Sequence, residues 1–440
     1  MSNSPAKAVP AAQSAHALHD ELELTSDVRK QRFAVMDNVF SEDDPGVAAV
    51  LAAAHAAKQR PHCLCLEPPV SMYIAHVGDR FIVKRMPNTG HLHAHYECPS
   101  FDPPVELSGL GEVTGSAIHE DLATGATTLR LDFTLAKRGS SRPPAASGTP
   151  PDTVRTDGQK LTLRGTLHYL WEQAELSRWA PGMTGKRTWG VVQRRLTTAA
   201  QNKFAKGDPL AEVLFVPEPW SQDLKEAIEH NRRGQLMRLH TRDASGSRLM
   251  VVIGEIKEFK DARFGSRAVV KHVPEMQFQI PGDLVRRIER HFEKELALWK
   301  SEDDSHMILA GTFGIDTAGY ANLEAASLMV TDANWIPIEH RWDLELVRRL
   351  VAERRRFTKG MRYNLAPDRP IANAVLTDPV DGPVALYVVP PSAEAEALAK
   401  MATLVEQSEI RSWIWRAGGD VTPELPGIGK VARMSDDLAP

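Results

Sequence analysis

The ten residues 89–98, "TGHLHAHYEC", carry three histidines and a cysteine, Cys98. Only three cysteines occur in 440 residues, and the other two stand together in "CLC" as Cys63 and Cys65. Zinc takes four tetrahedral nitrogen or sulfur ligands, usually as two short-range pairs brought together by a tight fold. Between the two pairs lie the apolar runs "VSMYIAHV" and "RFIVKRM", separated by Gly78-Asp79, and this pattern predicts a β-hairpin that returns the second pair to the first. The expectation is a structural Zn2+ site made by Cys63, Cys65, Cys98 and one histidine. A closed set of three thiolates and an imidazole leaves no position for a reacting water. The five histidines within 62–95 favour a metal over a Cys-x-Cys redox pair. His62 adjoins Cys63 and should point away, and His91 directly follows Gly90 and falls in the turn. His93 and His95 are the two candidates for the fourth ligand, His95 through an H-x2-C spacing.

Composition narrows the classes. Hydrophobic residues make up 42 % and charged residues 25 %, ordinary values for a globular chain. A net charge of −4 gives no global pull toward nucleic acid or membrane. No apolar run approaches the roughly 20 residues that span a bilayer. "MSNSPAKAVPAAQSAHALHDELEL" lacks the apolar core of a secretory signal, and three cysteines cannot all pair. A cytoplasmic, reducing location is expected.

Outward from the hairpin, the sequence reads as an α+β multidomain chain. Residues 1–25 form a disordered tail rich in Ala, Ser and Pro. Residues 26–137 are an N-terminal zinc-stapled β-hairpin module. It opens with a strand over 32–40 and a helix over 41–59, with Asp44 as cap and Pro45 in the first position. A second hairpin is expected around Thr124-Gly125. "RGSSRPPAASGTPPDT" marks a linker over 138–155. Apolar residues at helical spacing, such as Leu163, Leu167 and Leu170, then Trp189, Val192 and Leu196, place helices in a segment over 156–215. The stretch 216–340 reads as a mixed α/β central domain. Its strands are "RLMVVIGEIKEF", "RAVVKHV", "SHMILAGTFGI" and "ASLMVTDANWIPIE", and one amphipathic helix is capped by Asp283. Residues 341–440 form a C-terminal αβ domain.

Three further constellations bear on chemistry. The segment 176–207 holds seven cationic side chains and no acidic one. Lys186, Arg187, Arg194, Arg195 and Lys203 are the candidate nucleic-acid contacts, set against a solvated basic helical face. The connection between its helices is too long for a helix-turn-helix. Glu255-Ile256-Lys257 ends an apolar strand in the acid-x-lysine pattern with which some nucleases hold magnesium, although alternating charge on an exposed strand face gives the same pattern. In the last hundred residues the order helix, strand, strand, helix, strand, with Asp378 closing the first strand, matches the restriction-endonuclease-like core. There the next strand should carry acid-x-lysine, and "VALYVV" (384–389) carries neither. No P-loop, dinucleotide fingerprint, nucleophile elbow or zinc-protease helix is present.

Five stretches together resemble the bacterial domain-of-unknown-function family 1173. They are "CLC", "RMPNTGHLH…CPSF", "LRGTLHYLWEQAELSRWAPGMTGKRTWGVV", "GEIKEFKDARFGSRAVVKHVPE" and "RFTKGMRYN…LTD". The resemblance covers most of the chain and carries over three N-terminal cysteines as Cys63, Cys65 and Cys98. It implies no activity, and it implies work around DNA transfer or maintenance, because such members are encoded on plasmids and conjugative elements. His93 sits in the "GHLH" part of the resemblance and is preferred over His95. The expected function is a non-catalytic, zinc-stabilised protein of a mobile element that touches nucleic acid, DNA through the basic segment, or a transfer complex. The alternatives are a metal-dependent nuclease using Glu255 and Lys257 or Asp378, and a protein–protein adaptor.

Overall fold

A computed structural model describes residues 31–137 and 158–428, except 97, 241, 244–245, 264 and 420–421. The tail 1–25 and the linker 138–155 lie outside the described residues. The fold is mixed α+β.

The N-terminal sheet is antiparallel, in the order Asn38–Phe40, Phe33–Val35, His62–Cys63, Val70–Val77, Arg80–Arg85. The hairpin turning at Gly78-Asp79 is present. Residues 32–40 are not one strand but a tight hairpin. Met36 and Asp37 form its turn with φ of 49° and 62°, the left-handed pair that a two-residue turn requires. The helix begins later than its Asp-Pro signal, at Val47–Ala56, because the Asp44 carboxylate accepts from the Ser41 backbone N–H in a preceding turn. Leu51 and Ala54 of that helix pack on Phe33, Val35, Phe40, Met72, Ile74 and Val83. Cys63 and Cys98 belong to the same core of ten buried residues, so two of the ten are prospective metal ligands. Such a core stabilises little by itself.

The central strands close into a barrel. Met250–Ala262 pairs antiparallel with Gly265–Val270, which pairs antiparallel with Phe278–Pro281. Phe278–Pro281 runs parallel to Ala321–Thr331, which pairs antiparallel with His306–Ile315. His306–Ile315 returns to Met250–Ala262 along seven register pairs and closes the ring. Met250, Val252, Ala268, Val270, Phe278, Leu309 and Phe313 fill the inside, as side chains do in a small barrel. Gly254 lies where the wall bends inward: a Cβ there would come within 2.8 Å of Val270. Between the third and fourth barrel strands the chain forms two helices, Gly282–His291 and Glu293–Ser301, rather than one; Phe292 breaks them at φ −119°. Leu284, Ile288 and Leu298 from these helices join the barrel core.

Helices Leu163–Gln173 and Trp189–Ala200 cover one outer wall of the barrel. Leu167, Leu170, Trp171, Val192 and Leu196 share a core with Val251, Ile253, Ile308, Ala310 and Met329. The C-terminal sheet has the order Arg178–Trp179, Phe357–Lys359, Ala374–Leu376, Val384–Val389, Arg411–Arg416. Its last two strands are parallel and the others antiparallel. Phe357–Lys359 is a strand that the apolar pattern does not mark. Long-range pairing joins stretches far apart in sequence: Lys203–Ala205 pairs with Thr127–Leu129, and Arg178–Trp179 pairs with Phe357–Lys359.

Candidate metal centre and the other predicted sites

Strand alternation sets the first ligand. In His62–Cys63 the imidazole faces out and the thiol faces the core, between Phe33 and Val70 on the neighbouring strands. The turn that follows brings Cys65 round to the same side. The short 3-10 turn Gly90–Leu92 delivers His93, which is buried. Gly90 has no room for a side chain, since a Cβ there would lie 2.6 Å from the Cβ of Asp102 and 2.9 Å from its backbone nitrogen.

Cys63, Cys65, His93 and Cys98 form a group whose ligand atoms all lie within 4.8 Å of one another. Cys63 Sγ is 3.7 Å from Cys98 Sγ, and His93 Nδ1 is 3.5 Å from both Cys65 Sγ and Cys98 Sγ. Around a tetrahedral zinc with ordinary bond lengths, two sulfurs lie about 3.8 Å apart, and a sulfur and an imidazole nitrogen about 3.6 Å. The spacing fits that ion. His95 turns elsewhere, its Nε2 lying 3.0 Å from the Pro379 carbonyl; His91 and His62 are exposed. Gln31 Nε2 donates to Cys63 Sγ at 3.1 Å and to Ser100 Oγ at 2.7 Å, an outer contact that sequence spacing does not reveal. The hydrogen bond with Cys98 is the main influence holding the Cys63 thiol well down, to about 3. The same bond and burial push Cys98 up. A bound cation would favour the thiolate at all three cysteines.

The basic segment spends much of its charge inside the protein. Arg187 donates to the Leu176 and Arg178 carbonyls and lies over Trp179, 5.3 Å from the ring centre. Burial draws its guanidinium down to about 9. Arg195 donates to the Ala174 carbonyl at 3.3 Å and pairs with Glu175 at 3.0 Å. Lys203 lies 5.7 Å from the Tyr169 ring centre, and burial followed by the charge of Lys84 lowers it to about 8. Lys186 is exposed and Arg194 half-buried. These five do not form one open cationic face.

Neither carboxylate of the nuclease alternative is presented as a metal ligand. Asp378 is buried; its oxygens accept from Arg355 Nε at 3.0 Å and Nη2 at 2.7 Å, and from the Arg356 backbone N–H at 2.8 Å. Glu255 is buried too, but Lys257 falls at a β-bulge and is exposed. The partners of Glu255 are Lys271 Nζ at 2.5 Å and His306 Nδ1 at 2.6 Å, and the His306 ring stacks on Trp335 with centroids 3.9 Å apart. Burial acts to raise the Glu255 carboxyl, and the His306 and Lys271 hydrogen bonds outweigh it, so the group stays below its ordinary value.

Among the described residues no helix is long and apolar enough to cross a membrane. The family described as a protein of unknown function (DUF1173) matches residues 33–418, most of the chain, and the chain belongs to it. No curated protein and no solved structure matches.

Proposed function

We propose that this member of the DUF1173 family is a zinc-stapled protein that works on nucleic acid by binding, in the setting of a mobile element. The observation that carries the metal is the tetrahedral spacing of Cys63, Cys65, His93 and Cys98. Zinc would be held by three thiolates and one imidazole nitrogen, and its role would be structural, because four protein ligands leave no open position. The acid-free charge of 176–207 supports nucleic-acid contact, with Lys186 and Lys206 as its exposed members. The C-terminal run of helix, three strands, helix and strand supports a restriction-endonuclease-like core that has lost its metal site. Its third strand supplies no acid or lysine, and Arg355 occupies the one carboxylate in place.

Elemental analysis tests the metal. One zinc per chain is expected, retained by His95→Ala and lost from Cys98→Ser and His93→Ala. Zinc that survives Cys98→Ser would overturn the reading.

A further inference from the structure

The barrel has a topology with a consequence for recognition. Number its strands in chain order from Met250–Ala262. The first pairs with the second and fourth, the second with the third, the third runs parallel to the fifth, and the fourth pairs with the fifth. The helices Gly282–His291 and Glu293–Ser301 lie between the third and fourth. This is the arrangement of the five-stranded Greek-key barrel that receives oligonucleotides or oligosaccharides. Such barrels bind on the face of strands two and three and at the loops between strands one and two and between four and five.

We propose that this barrel binds single-stranded nucleic acid on that face; the inference rests on the nucleic-acid reading above and relocates its main contact surface. Four observations point there. The outer wall formed by strands four and five and the first part of strand one is covered: Val251, Ile253, Ile308, Ala310 and Met329 pack against the helical segment, whereas the second part of strand one, beyond Ile256, pairs with strand two. Strands two and three send no side chain into that core, although Val269 is buried, and half-buried Arg267 stands opposite Gln279 on the side away from Ala268 and Phe278, which fill the barrel. Residues 255–272 carry five cations, Lys257, Lys260, Arg263, Arg267 and Lys271, against the three carboxylates of Glu255, Glu258 and Asp261, with Lys271 paired to the buried Glu255 and Lys260 to Glu258. Lys257, Lys260, Arg263 and Lys271 are exposed. At the loop between strands four and five, Tyr320 is 60 % exposed, one residue before the point where Ala321 pairs with Phe278 of strand three.

That combination chooses between the two ligand classes. A neutral sugar chain gains nothing from clustered cations, whereas a phosphodiester backbone releases counterions to them. An exposed aromatic at the start of strand five, across strand three from the cationic second strand, offers a stacking surface to any base, so sequence-tolerant binding is expected. A single strand suits the surface, because its bases are free to lie on Tyr320.

The test uses the full-length, zinc-loaded protein and fluorescein-labelled oligonucleotides of about 20 residues, as dT, U and duplex DNA, titrated at ~50 and ~200 mM salt. Tighter binding of the single strands than of the duplex, falling steeply with salt, is expected. Lys257→Ala with Lys260→Ala, and separately Tyr320→Ala, should each weaken single-strand affinity at least tenfold; all three positions are exposed, so the fold is not at risk. The dT and U arms report whether DNA or RNA is the stronger ligand, and a preference for either supports the proposal. Binding that persists in these variants but is lost in Lys186→Ala with Arg194→Ala overturns the barrel and leaves the wider nucleic-acid reading in place. Absence of any binding at the lower salt overturns both.

Discussion

Asp378 and Glu255 show how one side chain's partners decide between chemistry and structure. A carboxylate that holds magnesium must present free lone pairs toward an open position. Those of Asp378 are taken by the buried two-pronged guanidinium of Arg355 and by the half-buried backbone N–H of Arg356. Removing one member of such a buried pair leaves an uncompensated charge, which costs about 3–5 kcal/mol, so the pair is a structural unit. Supercoiled plasmid incubated with magnesium or manganese should therefore stay intact. Nicking that disappears in Asp378→Ala would show that the carboxylate can exchange Arg355 for a metal. The residue scale is also where the sequence was most legible at the metal centre. With three cysteines in the chain, the thiols could be named by count, but the histidine could not be chosen from spacing. What separates His93 from His95 is the 3-10 turn at Gly90–Leu92 and the hold of the Pro379 carbonyl on His95, both products of the folded chain.

At the scale of elements, the helix Leu163–Gln173 joins the N-terminal sheet to the rest. Its Glu172 faces a seam that also contains Asp102, Arg178 and Arg85, and burial first, then the charge of Asp102, raise its carboxyl to about 7. Tyr363 and the two guanidiniums oppose this only in part. The native state thus binds this proton more tightly than the unfolded chain, whose carboxyl titrates near 4.5. The stabilisation is complete below that ordinary value and is lost as pH rises through about 7. Urea midpoints should fall as pH rises from about 4.5 through about 7, and Glu172→Gln should flatten the fall. An unchanged slope in that variant would assign the dependence to other groups. Elements differed in how plainly they announced themselves. The hairpin over 70–85 was readable because Gly78 supplies a left-handed turn residue at φ 59°. The one over 33–40 was not, because Met36 and Asp37 adopt that conformation without a glycine. The break at Phe292 was hidden by an amphipathic pattern that continues across it.

At the scale of the whole molecule, the arrangements hardest to read were those made by pairing across long sequence separations. Nothing local in "SRW" says that Arg178–Trp179 will extend a sheet whose next strand begins at Phe357, and the closure of the barrel is likewise a property of registers rather than of periodicity. The same long-range contacts determine what a metal bound at Cys63, Cys65, His93 and Cys98 would hold. The loop that carries His93 and Cys98 is anchored to the body from several sides. Arg178 donates to the Pro99 carbonyl at 3.1 Å and the Phe101 carbonyl at 2.9 Å and pairs with Asp102, Arg85 donates to the Ser100 carbonyl at 2.7 Å, and Arg356 lies over Tyr96. These contacts fix the outside of the loop, while its inside is lined by thiols that a core of ten residues cannot hold in register. A zinc ion would supply on the order of 10 kcal/mol or more, as it does in small structural sites. The barrel interior and the C-terminal sheet share one larger core, and the barrel's outer wall and the helices share another, and neither contains Cys63, Cys65, His93 or Cys98. Stripping zinc with a chelator should therefore raise amide hydrogen exchange across residues 60–105, while the strands Met250–Ala262 and His306–Ile315 keep their protection. Cys63→Ser should reproduce the pattern without a chelator. Exchange that rises equally in the barrel would mean that the staple supports the whole molecule, and exchange unchanged in 60–105 would mean that the anchoring arginines alone hold the loop.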